Sequence, residues 1–267
     1  MAKANNLVTF LTDFGSKDGF VGTMKGVLMS INPNVRFVDI SVHITPQKIW
    51  EGAFVLRNCY KYFPPGTTHL VVIDPGVGSS REGVIVETKK YFFVAPDNGV
   101  LTLAFRMAEV IRTVEIQNEK YFMPEVSSTF HGRDIFSSVA AHLSMGVPVT
   151  EFGPEVEQGP SLSFPGIETI GDMLYGKLIH IDNFGNLVTN ISPKVLNERG
   201  LNLDEILIGM GSRQIMKVHK TYSDVEPGKL LALINSSGFL EIAVNQGNAA
   251  KRLRARTEDD VCIRKRD

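Results

Sequence analysis

A chain of 267 residues is long enough to bury a sizeable core, in one large domain or two modest ones. Its 43% hydrophobic and 21% charged content is that of a soluble globular protein, and a net charge of -1 excludes long-range attraction to nucleic acid or an anionic membrane. Cys59 and Cys262 are the only cysteines, no apolar run approaches the roughly 18 residues of a membrane helix, and Met1 to Asn6 is polar and too short for a signal peptide; a cytoplasmic protein without disulfides is expected.

The first half alternates strand and helix signals. Leu7 to Leu11 reads as a buried strand running into Thr12-Asp13-Phe14-Gly15. Phe20, Met24, Val27, Leu28 and Ile31 recur at helical spacing until Asn32-Pro33, and Val35 to Ile40 is the next strand of a βαβ unit. A second helix is predicted over about 47–62, ended by Pro64-Pro65. His69 to Asp74 is another buried strand, with Asp74 at the C-terminal edge where open α/β sheets bind ligands. Val84 to Glu87 and Tyr91 to Ala95 form a predicted hairpin, and Asp97-Asn98-Gly99 opens a helix reaching about Met107. Asp134 is placed as the N-cap of a helix running to Met145.

Residues 151–172, rich in Gly, Pro, Glu and Ser, read as a linker. Short apolar runs follow (174–181, 187–191, 206–209, 230–234, 239–244, 252–256, 261–264), punctuated by Gly, Asn and Pro, with few helix signals. The predicted organisation is an α/β sandwich-like domain over 1–170, linker included, and a small β-barrel over 171–267. The basic residues from Lys251 to Arg266 alternate with acids and read as the solvated face of a terminal strand.

Two segments concentrate ionisable groups beside glycines: Asp74-Pro-Gly-Val-Gly-Ser-Ser-Arg81 and Phe130-His131-Gly-Arg133-Asp134. Neither is a phosphate loop or a nucleophile elbow, and Gly15, Gly19, Gly22 and Gly26 give no dinucleotide fingerprint. Asp74 and Arg81 fit a ligand-handling pair and equally a salt bridge across a surface turn; Arg133 and Asp134 fit a simple ion pair. His43, His69, His142, His180 and His219 offer no partner spacing for His131, so no metal is expected. Asp13 suits both a ribose-hydroxyl acceptor and a helix-entry cap. Asp182-Asn-Phe-Gly-Asn186 and Asn235-Ser-Ser-Gly238 are turn-like, yet they carry the amide, hydroxyl, carboxylate and aromatic groups that suit a nucleoside.

As an ordered set, these motifs resemble the S-adenosylmethionine hydroxide adenosyltransferase family, relatives of the enzymes that make 5′-halo-adenosines. Asp39-Ile with His43-Ile-Thr-Pro46 and Ala95-Pro-Asp-Asn-Gly99 extend the match, which covers nearly the whole chain. The resemblance implies an N-terminal α/β domain, a C-terminal β-barrel, and a homotrimer binding S-adenosyl-L-methionine between subunits. It implies Asp74, Arg81 and His131 as the water-handling triad, Asp13 on the ribose, and Asn186, Ser236, Glu241 and the backbone at Val244 on the adenosine, with Asp182 on the methionine portion. No cofactor is implied. The halogenases carry Tyr at the position of Asp74, fluorinating members carry Ser at that of Gly132, and they have a long insertion after the Arg81 segment that this chain lacks. A carboxylate repels halide, so Asp74 argues for water as nucleophile. The expected reaction is displacement of L-methionine from ribose C5′ with release of adenosine. A 5′-halogenase, a methyltransferase and a non-catalytic nucleoside or S-adenosylmethionine sensor are the rival readings.

Overall fold

The computed structural model describes residues 2–157, 161–163, 165–211, 213–215 and 217–266. The chain divides into two compact units, Met1–Leu162 and Ser163–Asp267.

The first unit contains, in order, β1 (Leu7–Thr12), α1 (Phe20–Ile31), β2 (Arg36–Ser41), α2 (Ile49–Cys59), β3 (Thr68–Val72), β4 (Gly83–Thr88), β5 (Phe92–Pro96), α3 (Thr102–Phe105), β6 (Val110–Glu115), α4 (Ser138–Ser144) and β7 (Glu155–Val156). The sheet order is β2-β1-β3-β5-β4-β6-β7; its first four strands are parallel, and β4, β6 and β7 each run antiparallel to their neighbours. Strands β1, β3, β4 and β5 are buried along their whole length, which is why they read as near-continuous apolar runs. Period-2 alternation sends Val8, Phe10, Leu70 and Val72 to one core with Met24, Leu28 and Val139 of α1 and α4. Leu11, Val71, Ile73 and Phe93 go to the other, with Leu56 of α2 and Ala104 of α3. The predicted βαβ unit and hairpin are both present.

Several boundaries move. The second helix stops at Cys59 and tightens into a 3-10 turn at Tyr60–Tyr62. The helix expected up to Met107 shrinks to the single turn α3, preceded by Gly99 at φ +89°. Strand β3 ends at Val72, leaving Asp74 in the following loop. Asp134 is not an N-cap: it lies inside a π-helical turn, Gly132–Ser137, that has His131 at its N-cap position and runs straight into α4. Of the expected linker, residues 158–160 and 164 lie outside the described residues, while Glu155–Val156 and Glu168–Ile170 are strands.

The second unit holds β8 (Glu168–Ile170), β9 (Met173–Ile181), β10 (Leu187–Thr189), α5 (Pro193–Glu198), β11 (Ile206–Met210), β12 (Arg213–Ile215), β13 (Val218–His219), β14 (Leu230–Ile234), β15 (Leu240–Val244), α6 (Ala249–Leu253) and β16 (Asp260–Lys265). The order β12-β11-β16-β9-β10-β15-β14-β13 almost closes on itself, because β12 and β13 are near neighbours in sequence and β12 lies against β14. This is the barrel-like domain the short apolar runs predicted, filled by Leu178, Leu187, Ile208, Leu240, Ile242 and Ile263. The run at 252–256 is not a strand. Asn248 accepts from Lys251 N at 2.7 Å and caps α6, so Lys251 and Arg252 sit on a helix instead of the terminal strand.

Candidate functional site

Beyond β3 the chain turns through Asp74 to Arg81 before β4 rejoins the sheet. The loop closes on itself: Ser79 Oγ donates to the Gly76 carbonyl at 2.6 Å, and Arg81 N donates to Ser79 Oγ at 3.3 Å. Arg81 thereby returns onto Asp74, with Nε donating to Oδ1 at 2.9 Å and Nη2 donating to Oδ2. This is a fork-to-fork pair, with the Asp74 side chain only 5% exposed. The same Nη2 meets His131 Nδ1 at 3.0 Å, and the guanidinium lies 5.1 Å from the Phe136 ring centre. Arginine has no acceptor, so Nδ1 receives the bond; His131 is then neutral with its proton on Nε2. Burial first, and the Arg81 charge second, lower the His131 pKa below its ordinary 6.5, against smaller opposite pulls from Asp74 and Asp134.

The 127–134 segment is braced from within. Asp134 is buried, accepts from Ser127 N at 2.9 Å and forms with Arg133 the simple ion pair expected of those two residues. Gly78 joins this segment to the Asp74 loop: it has φ +76°, and a Cβ there would stand 2.4 Å from the Ser128 carbonyl oxygen. Phe14, Phe20 and Phe130 form an aromatic cluster next to His131 in the chain, with Phe14 and Phe130 packed edge to face at 5.9 Å between centres.

Asp13 does not cap α1, whose N-cap position is Gly19. One of its oxygens accepts from Gln47 N at 2.7 Å, and Gln47 adopts a left-handed backbone, φ +66°, at the residue that presents this N–H. Asp13 is thus fixed by the loop ahead of α2.

In the second unit, Asp182 closes the turn after β9. Its Oδ1 accepts from Phe184 N at 2.9 Å and Asn186 N at 2.8 Å, and its Oδ2 accepts from Asn186 Nδ2 at 2.9 Å. Phe184 stands 73% exposed on that turn. Glu241, on β15, is buried; Oε1 accepts from Tyr222 OH at 2.7 Å and Oε2 from Asn235 Nδ2 at 3.1 Å. Burial raises the Glu241 pKa, the two hydrogen bonds oppose it, and the nearby Asp182 charge adds to it. Ser236 is exposed at the tip of the 235–238 turn, while Val244 is buried at the end of β15.

The structure therefore unites Asp74, Arg81 and His131, joins Asp182 to Asn186, and gives Glu241 two partners: Asn235, from a motif the sequence singles out, and Tyr222, which sequence reasoning passes over. Tyr222 has one readable signal, the Thr221–Asp224 capping box around it. Among the described residues no group of His, Cys, Asp and Glu is arranged to hold a metal, and no helix is long and apolar enough to cross a membrane.

Comparison with known proteins agrees with this layout. The SAM hydroxide adenosyltransferase N-terminal domain matches residues 8–153, and the C-terminal domain of the same description matches 176–262. An (R)-S-adenosyl-L-methionine hydrolase of Methanocaldococcus jannaschii is 36% identical over 97% of this chain and 95% of its own. A crystal structure of an uncharacterized conserved protein from Thermotoga maritima superposes with a TM-score of 0.88 at 38% identity, covering 96% of this chain and 99% of that one. A fluorinase of Actinoplanes sp. is similar at the lower level of 29%, over 91% of this chain and 92% of its own. Both domain matches fall in order and span most of the sequence, and on that ground the chain belongs to the SAM hydroxide adenosyltransferase family.

Proposed function

We propose that this protein hydrolyses S-adenosyl-L-methionine to adenosine and L-methionine. The Asp74–Arg81–His131 cluster carries the reading: a buried carboxylate held by a guanidinium, beside a neutral imidazole. Water oxygen bonds to ribose C5′ as the C5′–S bond breaks, and the bond pair leaves on sulfur as the neutral thioether of methionine. The sulfonium is already an activated leaving group, so the reaction needs a positioned water more than further activation, and positioning is worth up to roughly 7–11 kcal/mol.

The proton goes to Asp74. His131 has its Nδ1 lone pair engaged by Arg81 and its Nε2 protonated, so it serves as a donor that orients the water, not as the base. Arg81 keeps Asp74 in place until attack. Asp13 is proposed to take the ribose hydroxyls, Asn186, Ser236 and the Val244 backbone to contact the adenosine, Glu241 to belong to the same nucleoside site, and Asp182 to face the methionine portion. No cofactor is required. The assembly proposed is a cytoplasmic homotrimer with substrate bound between subunits, and analytical ultracentrifugation tests it.

The deciding experiment incubates the protein with each sulfonium epimer of S-adenosyl-L-methionine in chloride buffer and separates the products. Equimolar adenosine and L-methionine, from the (R) epimer by analogy with the relative's name, is the expected result. 5′-Chloroadenosine would make it a halogenase, S-adenosylhomocysteine a methyltransferase, and intact substrate after long incubation a binding protein.

A further inference from the structure

Glu241 is placed where a substrate contact is least able to work alone. It is the second residue of β15, paired with Val188 of β10 on one side and Leu233 of β14 on the other, and is 3% exposed. Each of its carboxylate oxygens has a partner from a different turn: Tyr222 OH for Oε1, Asn235 Nδ2 for Oε2. The orientation of Asn235 is settled by its other end, since its Oδ1 accepts from Ser237 N at 3.0 Å and Phe239 N at 3.2 Å. Asn235 is therefore the knot of the turn that carries Ser236, closed further by Asn235 N donating to Phe239 O at 2.9 Å. Tyr222 lies on a short turn fixed by reciprocal Thr221–Asp224 bonds, a turn with no buried residue of its own. The 182–186 turn leads into β10, where Leu187 pairs with Ile242 and Val188 with Glu241.

We propose that Glu241 is a positioning residue: a buried strut that locks the Tyr222 turn to the 235–239 turn and so fixes Ser236 for the nucleoside. It does this without itself touching the ligand, in place of the direct adenosine contact that the family resemblance implies. The proposal deepens, and rests on, the reading that the second unit binds the adenosine of S-adenosyl-L-methionine.

The geometry makes a chemical distinction available. Glu241→Gln keeps both bonds, because the amide oxygen accepts from Asn235 Nδ2 and the amide nitrogen donates to Tyr222 O. Glu241→Leu removes both at similar volume. The test measures KM and kcat for S-adenosyl-L-methionine and, separately, adenosine affinity by titration calorimetry on the full chain. A strut predicts that Glu241→Leu raises KM and the adenosine Kd by about tenfold or more with kcat within a few-fold, the scale of a lost hydrogen bond to a charged group. Glu241→Gln stays within about threefold of the native protein. Tyr222→Phe, which removes only a hydroxyl on a partly exposed turn, raises both constants by a smaller factor, and combining it with Glu241→Leu adds nothing further.

Glu241→Gln as damaging as Glu241→Leu would show that the charge itself meets the ligand and would overturn the proposal. So would an unchanged Tyr222→Phe variant, which is informative even if Glu241→Leu does not fold. The calorimetric arm uses adenosine alone: adenosine binding without turnover would defeat the hydrolase reading and still test the strut, whereas turnover with no response to these variants would defeat the strut alone.

Discussion

Asp74 and Asp182 both follow a strand and both have each carboxylate oxygen engaged, but by opposite means. Asp74 is gripped by the side chain of Arg81, two heavy-atom contacts from one guanidinium. Asp182 is gripped mainly by the N–H groups of its own turn, at Phe184 and Asn186. A guanidinium partner leaves the remaining lone pairs of the carboxylate open to a third molecule, which suits proton transfer. Backbone partners spend the carboxylate on shaping a turn, so its contribution is to where neighbouring groups stand. Removing the first should cost rate; removing the second should cost affinity.

The largest expected effect follows at the first site. Asp74→Ala and Arg81→Ala should each lower kcat by about a thousandfold with KM changed only a few-fold, the range for loss of a general base or its electrostatic support. Steady-state kinetics on both variants check this. If KM rose and kcat held, Asp74 would be acting as Asp182 does, and the contrast would collapse.

Next in size is Gly78→Ala. The positive φ and the 2.4 Å approach to the Ser128 carbonyl leave no room for a methyl group, so the 127–131 segment must shift. Because His131 lies at the end of that segment, kcat should fall by up to about a hundredfold, the penalty for misplacement on the order of 1 Å. Gly132→Ala is the control: its Cβ would meet only ordinary contacts, the nearest at 3.4 Å.

Asp182→Ala comes third. Losing three hydrogen bonds from one turn should raise KM by about tenfold and lower stability by roughly 1–2 kcal/mol, with kcat little changed. Thermal unfolding and kinetics on one preparation separate the two effects.

Much of this contrast is legible in the amino-acid sequence, and for identifiable reasons. Strands β1, β3, β4 and β5 announce themselves because both of their faces are covered and apolar residues dominate each of them. Helix ends escape sequence reading where local chemistry overrides the period. Gly99 and its tight turn consume the start of α3, and the π-helical turn at Gly132 is clasped by Ser137 Oγ donating to the Gly132 carbonyl at 2.7 Å, which no 3.6-residue pattern foretells. The two- and three-residue strands β13 and β12 are too short to show alternation. At the site, Asp74 and Arg81 are seven residues apart, a spacing that admits their pairing without requiring it. His131 is fifty residues further on, and only the packing of the 127–131 segment against Gly78 explains how it arrives. Tyr222 stays hidden because a lone tyrosine in a polar turn has no periodicity to betray that its hydroxyl seeks a buried carboxylate.

The smallest effect on rate, and the most discriminating, is that of pH. His131 and His69 both have pKa values below the ordinary 6.5, chiefly through burial, yet they should fail differently in acid. His69 is fully buried among Tyr60, Phe63, Tyr91 and Phe93, bonded through Nδ1 to Thr9 Oγ1 at 2.8 Å, and its pKa is pushed down to about 3. The unfolded chain then binds a proton that the folded one refuses, so stability is full above pH 6.5 and is lost progressively as pH falls toward 3, by up to roughly 4 kcal/mol. Protonating His131 instead puts an N–H against Arg81 Nη2 and breaks the cluster without unfolding the protein. The rate should therefore drop a few-fold in acid, with a midpoint below 6.5, while the far-UV circular dichroism stays native. Replacing His69 should remove the acid loss of stability and leave that limb of the rate profile in place, and His131→Gln should flatten the limb at a lower overall rate. A limb that moved with the His69 variant would mean that acid inactivation is partial unfolding, and the neutral His131 donor would lose its role.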